Sequence, residues 1–510
     1  MVLDLRLTVG SKIDGYAAFV HAATAMPSTP NQAVAARIPP IFSAGLCAAF
    51  LVFAHALVAD DTAALIDRLD AIRQAYRVPA FGAALVSGQE TVFAGARGIA
   101  DLESGRAADD DTVFRIGSIT KAFTALAVLM AAEDGLLDLG APLDALIGPG
   151  FYVNSWAPEH PVTLVHLLEH SAGFADLSME EMYHSDPAPL ALADAVRFRP
   201  QNRRVLWRPG LHYSYSNAGA GLAAYALEQR TGIPYEVFVR DRIFAPLAMD
   251  TASLLFDSTT RNSLAAGYDS DASTPIPYWH MLFRAFGAIN ARPRDMAAFI
   301  KLFTGRGEVR GRRIVPGTLI ARMEFPESTL AARSGLRFGY GLGIYSWFSN
   351  GVLFHGHGGD GDGYLAHFGY SPRTARGYFV VINAFTHAPL RKMRTAIEQY
   401  LTHDVPAATF EPVADVQASA ITGTYERATY RFPQGSDDEP DRMEITVTDG
   451  RLLTRENGGE PKPLLAVNAQ HFRRTDEPSA TIAIVPDERG RLFYQGEREN
   501  YQRIEMHDLE

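Results

Sequence analysis

Of the five lysines in this chain of 510 residues, only Lys121 follows a serine by three positions, in Ser118-Ile119-Thr120-Lys121. A spacing of three sets both side chains on one face of a first helical turn. The stretch from Thr120 to Ala132 is almost wholly apolar, lacks Gly and Pro, and is followed by Gly135. That composition predicts a helix buried on most sides. A lysine within it would be hard to keep charged, because desolvation lowers its pKa. A neutral amine beside a hydroxyl is a general base beside a nucleophile. The helix start adds free N–H groups where an oxyanion could develop. The ordinary explanation of S-x-x-K is an N-cap serine and a solvated lysine. Residue usage stands against it: with 47 Lys and Arg in all and only five of them Lys, a basic surface position here would normally be Arg.

A second polar group, Tyr213-Ser214-Tyr215-Ser216-Asn217, follows the turn Trp207-Arg208-Pro209-Gly210 and precedes an Ala/Leu-rich helix expected from about Ala218 to Gln229. In an extended segment Tyr215 and Asn217 point the same way. A phenol held near a cation can shuttle a proton, and an amide can hold a substrate carbonyl. Y-x-N recurs at Tyr152-Val153-Asn154, among Pro and Gly with no helix behind it, and that copy reads as chance.

A third group runs Phe354-His355-Gly356-His357-Gly358-Gly359-Asp360-Gly361-Asp362-Gly363-Tyr364. It satisfies G-x-G-x-x-G, but strand, turn and strand are expected after it, not the helix a dinucleotide site needs. His355, His357, Asp360 and Asp362 are metal-ligand types, yet no further clustered partner is evident. The remaining reading is a glycine-rich edge strand beside an active site, where missing side chains let a substrate backbone approach and one His reaches in.

Around these groups the expected order is α+β. Residues 61–80 read as an amphipathic helix with Leu65, Ile66, Leu69, Ile72 and Tyr76 on one face. Phe81–Leu85 and Thr91–Gly95 flank Ser87-Gly88 as a hairpin. Residues 162–177 hold a short amphipathic helix, with His170 at its end reading as a capping or core histidine. A helix is expected after Pro293, and strands over Arg337–Trp347, Leu365–Tyr370 and Tyr378–Asn383. Residues 402–418 form a Pro/Ala/Asp/Val linker, and the short strands within 419–510 make a separate all-β module, with a hairpin turn at Asp449-Gly450. One of those strands is expected over Tyr425–Phe432. The net charge of −11 argues against non-specific nucleic-acid binding.

Residues 1–59 read as a leader. An uncharged apolar run over 41–53 follows Arg37 and precedes Ala54-His55-Ala56, the layout of a secretory signal peptide, so export is expected. The run is short for a spanning helix, and membrane contact would come only through an uncleaved leader. It begins far from Met1, and a start at Met26 would give a leader of ordinary length.

Taken together, Ser118-x-x-Lys121, Tyr215-x-Asn217 and His357-Gly358-Gly359 resemble, in order, the three motifs of the serine β-lactamase and penicillin-binding-protein superfamily. Leu167-Leu168-Glu169-His170-Ser171-Ala172-Gly173 and Pro246-Leu247-Ala248-Met249 look like its class C β-lactamase-like branch, which holds D-aminopeptidases, D-alanyl-D-alanine carboxypeptidases and esterases. The resemblance covers about residues 62–400, within a hydrolase domain expected over 60–401. It implies an antiparallel sheet flanked by helices with a second helical lobe, and a lipocalin-like barrel after it. It also implies a serine hydrolase working through an acyl-enzyme, with no cofactor and no metal, on D-amino-acid peptides, amides or esters or a peptidoglycan-like peptide. Ser118 would be the nucleophile, Lys121 its proton acceptor and Tyr215 the proton shuttle. Asn217, His357, Gly359 and Asp360 would bind substrate, and the N–H groups of Ser118 and Asp360 would form the oxyanion hole. The third motif usually begins with Lys; His357 in its place is a less secure anchor for a carboxylate, which ranks β-lactamase below peptidase and esterase. A non-catalytic cell-wall peptide-binding protein is the alternative of another class.

Overall fold

The run Ala80-Phe81-Gly82-Ala83-Ala84-Leu85-Val86 carries no polar face, as a strand covered on both sides must not. It forms β1 (Ala80–Ser87), near the middle of a seven-stranded sheet. The computed structural model of the chain describes residues 61–184, 188–432 and 440–504. The leader reading, with its apolar run at 41–53, lies outside them.

Strand β1 pairs antiparallel with β2 (Glu90–Asp101) through the expected hairpin, and β3 (Arg106–Ala107) closes that edge. The other half comes from far along the chain: β4 (Tyr345–Ser349), β5 (Val352–Gly361), β6 (Tyr364–Ser371) and β7 (Arg376–Ile382). The order is β4-β5-β6-β7-β1-β2-β3, and Phe81 opposite Ile382 joins the halves. Alternate residues sort to two cores. Phe81, Ala83, Leu85, Val380 and Ile382 pack with Leu65, Ile66 and Leu69 of α1 (residues 61–75) and with Met393 and Ile397 of the last helix of this half, His387–Thr402. Ala84, Val86, Phe368 and Val381 face the larger core. That core holds α2 (Thr120–Glu133), α3 (Asn217–Thr231) and α4 (Pro293–Thr304).

Three boundaries differ from expectation. Helix α1 stops at residue 75 instead of 80. Arg77 turns to φ 55°, and Val78 precedes Pro79, where ring sterics disfavour helix. The strand expected over Arg337–Trp347 begins only at Tyr345, because Gly339 and Gly343 take positive φ. The glycine-rich strand β5 is not the sheet edge; β4 lies outside it. The ladder between them ends at Tyr345 opposite Gly356, however, so residues 357–361 have no strand partner on that side.

Nine strands from Gly423–Arg427 to Asn500–Arg503 form a nearly closed antiparallel barrel around Tyr425, Met443, Phe472, Ile484 and Tyr494. First and last strands are neighbours, with Tyr425 opposite Arg503. Asp449 and Gly450 both take positive φ, as a two-residue hairpin turn of this hand requires. The barrel seals onto the rest of the chain. Ala483 and Val485 pack on Leu336 and Phe338. The buried Gln495 amide accepts from Ala331 N–H at 2.7 Å and donates to Leu211 O at 3.0 Å. The strand expected over Tyr425–Phe432 ends at Arg427, and residues 428–432 run on as a loop toward the sheet half.

Candidate active site

Helix α2 is buried from Thr120 through Ala131, and Lys121 goes in with it at 3% exposure. Ser118 lies one turn earlier, in the short helical turn Gly117–Ile119. The Lys121 Nζ lies 2.7 Å from Asn217 Oδ1, 2.9 Å from Phe286 O and 3.0 Å from Ser118 Oγ. Burial holds its pKa well below that of a free lysine, aided by the Arg431 charge and opposed by Asp176 and Asp360. An ammonium would donate to all three oxygens, but burial disfavours that charged form. A neutral amine has two N–H donors, and the two carbonyl oxygens accept both; its lone pair is left facing the Ser118 hydroxyl. The Tyr215 Oη, 3.0 Å away, donates to the same Ser118 Oγ. Burial raises the Tyr215 pKa, so the ring carries its proton at neutral pH. Hydroxyl, amine and phenol thus converge from segments almost 100 residues apart.

Asn217 is the first residue of α3. Its carbonyl oxygen is used by Lys121, and its N–H₂ donates to Asp176 Oδ2 at 3.1 Å. The backbone N–H of Asn217 donates to the other oxygen of that carboxylate at 2.6 Å. Asn217 therefore lines the cavity while holding the amine.

The third motif is placed differently from expectation. His357 lines the cavity but is 3% exposed, and burial lowers its pKa to about 3. Both ring nitrogens are occupied, Nδ1 by Gly358 O and Nε2 by Tyr340 Oη at 2.7 Å. A neutral, fully bonded imidazole is not a charged anchor for a substrate carboxylate. The bonds also set its tautomer: Nδ1–H donates to the carbonyl, so Tyr340 donates to Nε2. Tyr340 in turn accepts from His170 Nε2–H at 3.1 Å, and His170 Nδ1 accepts from Ser216 N–H at 3.2 Å. His170 is thus a core histidine, its ring centroid 4.2 Å from that of Tyr215.

The Cβ position of Gly359 faces the chain's own backbone. A Cβ there would come within 1.9 Å of Ile116 O, so its missing side chain admits this chain's own backbone, not a ligand's. Gly117, at φ 55°, makes the reciprocal approach, where a Cβ would lie 2.8 Å from Asp360 N. These two glycines lock the Ser118 turn onto the open edge of β5. Asp360 itself is exposed and lines the cavity.

The cavity over Ser118 has a volume of about 650 Å³ and is walled on one side by the barrel, through Arg427, Thr429, Tyr430, Arg431, Phe432 and Arg498. Nothing in the sequence signalled that wall, Asp176 or Tyr340: each owes its position to a long-range contact. Among the described residues no cluster of three or more His, Cys, Asp or Glu is arranged for a metal.

A fold and a site of this kind define a class, the serine hydrolases of the β-lactamase and transpeptidase fold. The chain belongs to the β-lactamase family, whose family model matches residues 63–402. It is 26% identical over 377 residues to penicillin-binding protein 4 of Amycolatopsis lactamdurans, covering 71% of this chain and 96% of that protein. It is 28% identical over 304 residues to a D-aminopeptidase of Brucella anthropi, covering 59% of this chain and 55% of that one. Among solved structures, the octameric penicillin-binding protein homologue from Pyrococcus abyssi superposes with a TM-score of 0.57 at 21% identity, over 87% of this chain and all of the other.

Proposed function

We propose that this hydrolase acts through an acyl-enzyme on D-amino-acid peptides, amides or esters. The observation that carries the reading is the buried amine of Lys121, held by the carbonyl oxygens of Asn217 and Phe286 with its Nζ 3.0 Å from Ser118 Oγ. As the substrate carbonyl is attacked, the Ser118 proton passes to Lys121. The N–H groups of Ser118 and Asp360 receive the oxyanion; each such donor is worth roughly 3–4 kcal/mol in comparable sites. Tyr215, protonated and already bonded to Oγ, protonates the leaving group, and water then releases the acyl group with the roles reversed. The similarity to a D-aminopeptidase supports the substrate class. β-Lactamase activity ranks lower, because the third motif offers a neutral His357 where a β-lactam carboxylate would need a cation.

A fluorescent serine-directed phosphonate should label the protein, and Ser118→Ala should abolish labelling; labelling that survives overturns the reading. A panel of D- and L-aminoacyl amides, short-chain esters and nitrocefin separates the substrate classes, with D-aminoacyl amides or esters expected to turn over fastest. The proposal extends to export of the protein by the leader at 1–59. N-terminal sequencing of secreted material tests this: cleavage within 54–59 is expected, absence of the protein from the exported fraction overturns export, and a mature chain still carrying residues 1–25 overturns a start at Met26.

A further inference from the structure

We propose that Arg431, a residue of the C-terminal barrel, is a positioning residue for the Lys121 amine: it grips Asp176, which fixes Asn217 against Lys121, and its charge offsets the Asp176 carboxylate there. This rests on the reading of Lys121 as the proton acceptor.

The chain of contacts is continuous. Arg431 Nε donates to Asp176 Oδ2 at 2.9 Å, and Asp176 N–H donates back to Arg431 O at 2.7 Å. The Asp176 side chain is fully buried, so the charge on it needs a partner, and Arg431 is the cation that reaches it. Asp176 then uses both oxygens on Asn217, whose own oxygen lies 2.7 Å from Lys121 Nζ. The loop bearing Arg431 is itself tied down, since Thr429 and Asn500 both donate to Tyr213 O at 2.9 Å.

Charge follows the same path. The guanidinium of Arg431 sits 4.8 Å from the Tyr215 ring centroid and Lys121 Nζ 4.9 Å from it. The guanidinium and the amine are thus within about 10 Å of each other, one Debye length at roughly 0.1 M salt. The charged and titratable groups facing the amine come from four segments. They are Asp176 and His170 from the stretch after the short helix Leu164–Leu168, Tyr215 ahead of α3, His357 and Asp360 on β5, and Arg431 from the barrel. His170 and His357 are neutral, Tyr215 is protonated and Asp360 is exposed. Asp176 is therefore the buried charge that would favour a protonated Lys121, and Arg431 is what cancels it.

The test measures pH profiles of kcat/KM on full-length variants, with the substrate that the panel identifies. In Arg431→Gln the uncompensated carboxylate should move the rising limb to higher pH by about one unit. That is the order expected for a unit charge about 10 Å away at an effective dielectric of about 20. Arg431→Lys should leave the limb near its original place. Asp176→Asn should move it to lower pH, and adding Arg431→Gln to that variant should bring it back, with kcat still reduced because Asn217 has lost its hold. The last two variants bury no unpaired carboxylate, so they remain informative if Arg431→Gln does not fold. A limb unmoved in Arg431→Gln, or coincident limbs in Asp176→Asn and the double variant, would overturn the proposal. So would a pure rise in KM, which would make Arg431 a substrate contact. Full activity in Lys121→Arg would instead remove the reading beneath it.

Discussion

Burial disfavours the charged form of Lys121, and as a neutral amine it keeps its two N–H groups on the carbonyl oxygens of Asn217 and Phe286 and turns its lone pair to the Ser118 hydroxyl. The chemistry therefore depends on an amine that can gain and lose a proton, not on positive charge. Arginine tests the difference, since its guanidinium does not deprotonate in proteins. Lys121→Arg should lower the acylation rate by about 10²–10⁴, the usual contribution of a positioned general base. Stopped-flow phosphonate labelling measures it, and an unchanged rate would exclude the amine as base. The glycines make a second residue-scale prediction. Gly359→Ala forces a methyl to within 1.9 Å of Ile116 O, two residues from the nucleophile. The turn must move, so kcat/KM should fall at least tenfold, with a stability loss of about 1–3 kcal/mol in urea unfolding. Retained activity would mean that the contact between turn and strand does not hold Ser118 in place.

At the scale of elements, four separate segments are tied by one file of hydrogen bonds: Ser216 N–H to His170, His170 to Tyr340, Tyr340 to His357, and His357 to Gly358 O. Tyr340 is the link that both donates and accepts. Tyr340→Phe keeps the ring but orphans a donor on His170 and an acceptor on His357. Each buried orphan costs about 1–3 kcal/mol, so a urea midpoint shift worth about 2–5 kcal/mol is expected, with a fall in kcat as the ring beside Tyr215 loosens. A shift below the resolution of the measurement would show that the file is not a structural tie. This tie also marks where sequence reading stops. Helix α2 was legible because the eleven apolar or small residues in a row from Ala122 to Ala132 admit one outcome. The β1–β2 hairpin was legible from its turn residues, and the pairing of Ser118 with Lys121 from spacing alone. Tyr340 was not: it sits in what reads as a Gly-aromatic strand, and only the positive φ of Gly339 and Gly343 turns that stretch into a loop that brings the phenol under His357. His357 was legible as a residue of the site, yet its charge state was not, because burial is set by neighbours distant in the chain.

Seen as one molecule, the protein keeps an unusual number of imidazoles out of water. Burial lowers the pKa of His166 to about 4 and those of His212, His355 and His357 to about 3, and it holds His170 and His367 well below the ordinary value. In the unfolded chain each would bind a proton near pH 6.5. The unfolded state therefore takes up more protons as pH falls, and stability declines from about pH 6.5 downward until the folded values near 3–4 are reached. Above that window the contribution is complete. Each histidine removes on the order of 1 kcal/mol per pH unit, and six of them together rival a total stability of about 5–15 kcal/mol. Buried Glu169 and Asp295, both raised by desolvation, act in the opposite sense and soften the decline. Cooperative unfolding at about pH 5 is expected, above the range in which ordinary carboxylates protonate. Circular dichroism and tryptophan fluorescence followed from about pH 8 to 4 would record it. His355→Gln removes one titrating ring whose Nε2 has no hydrogen-bond partner and should shift the midpoint to lower pH. A melting temperature that holds constant from about pH 7 to 4.5 would mean that these rings are hydrated in solution, and the neutral His357 that sets the third motif apart would no longer follow.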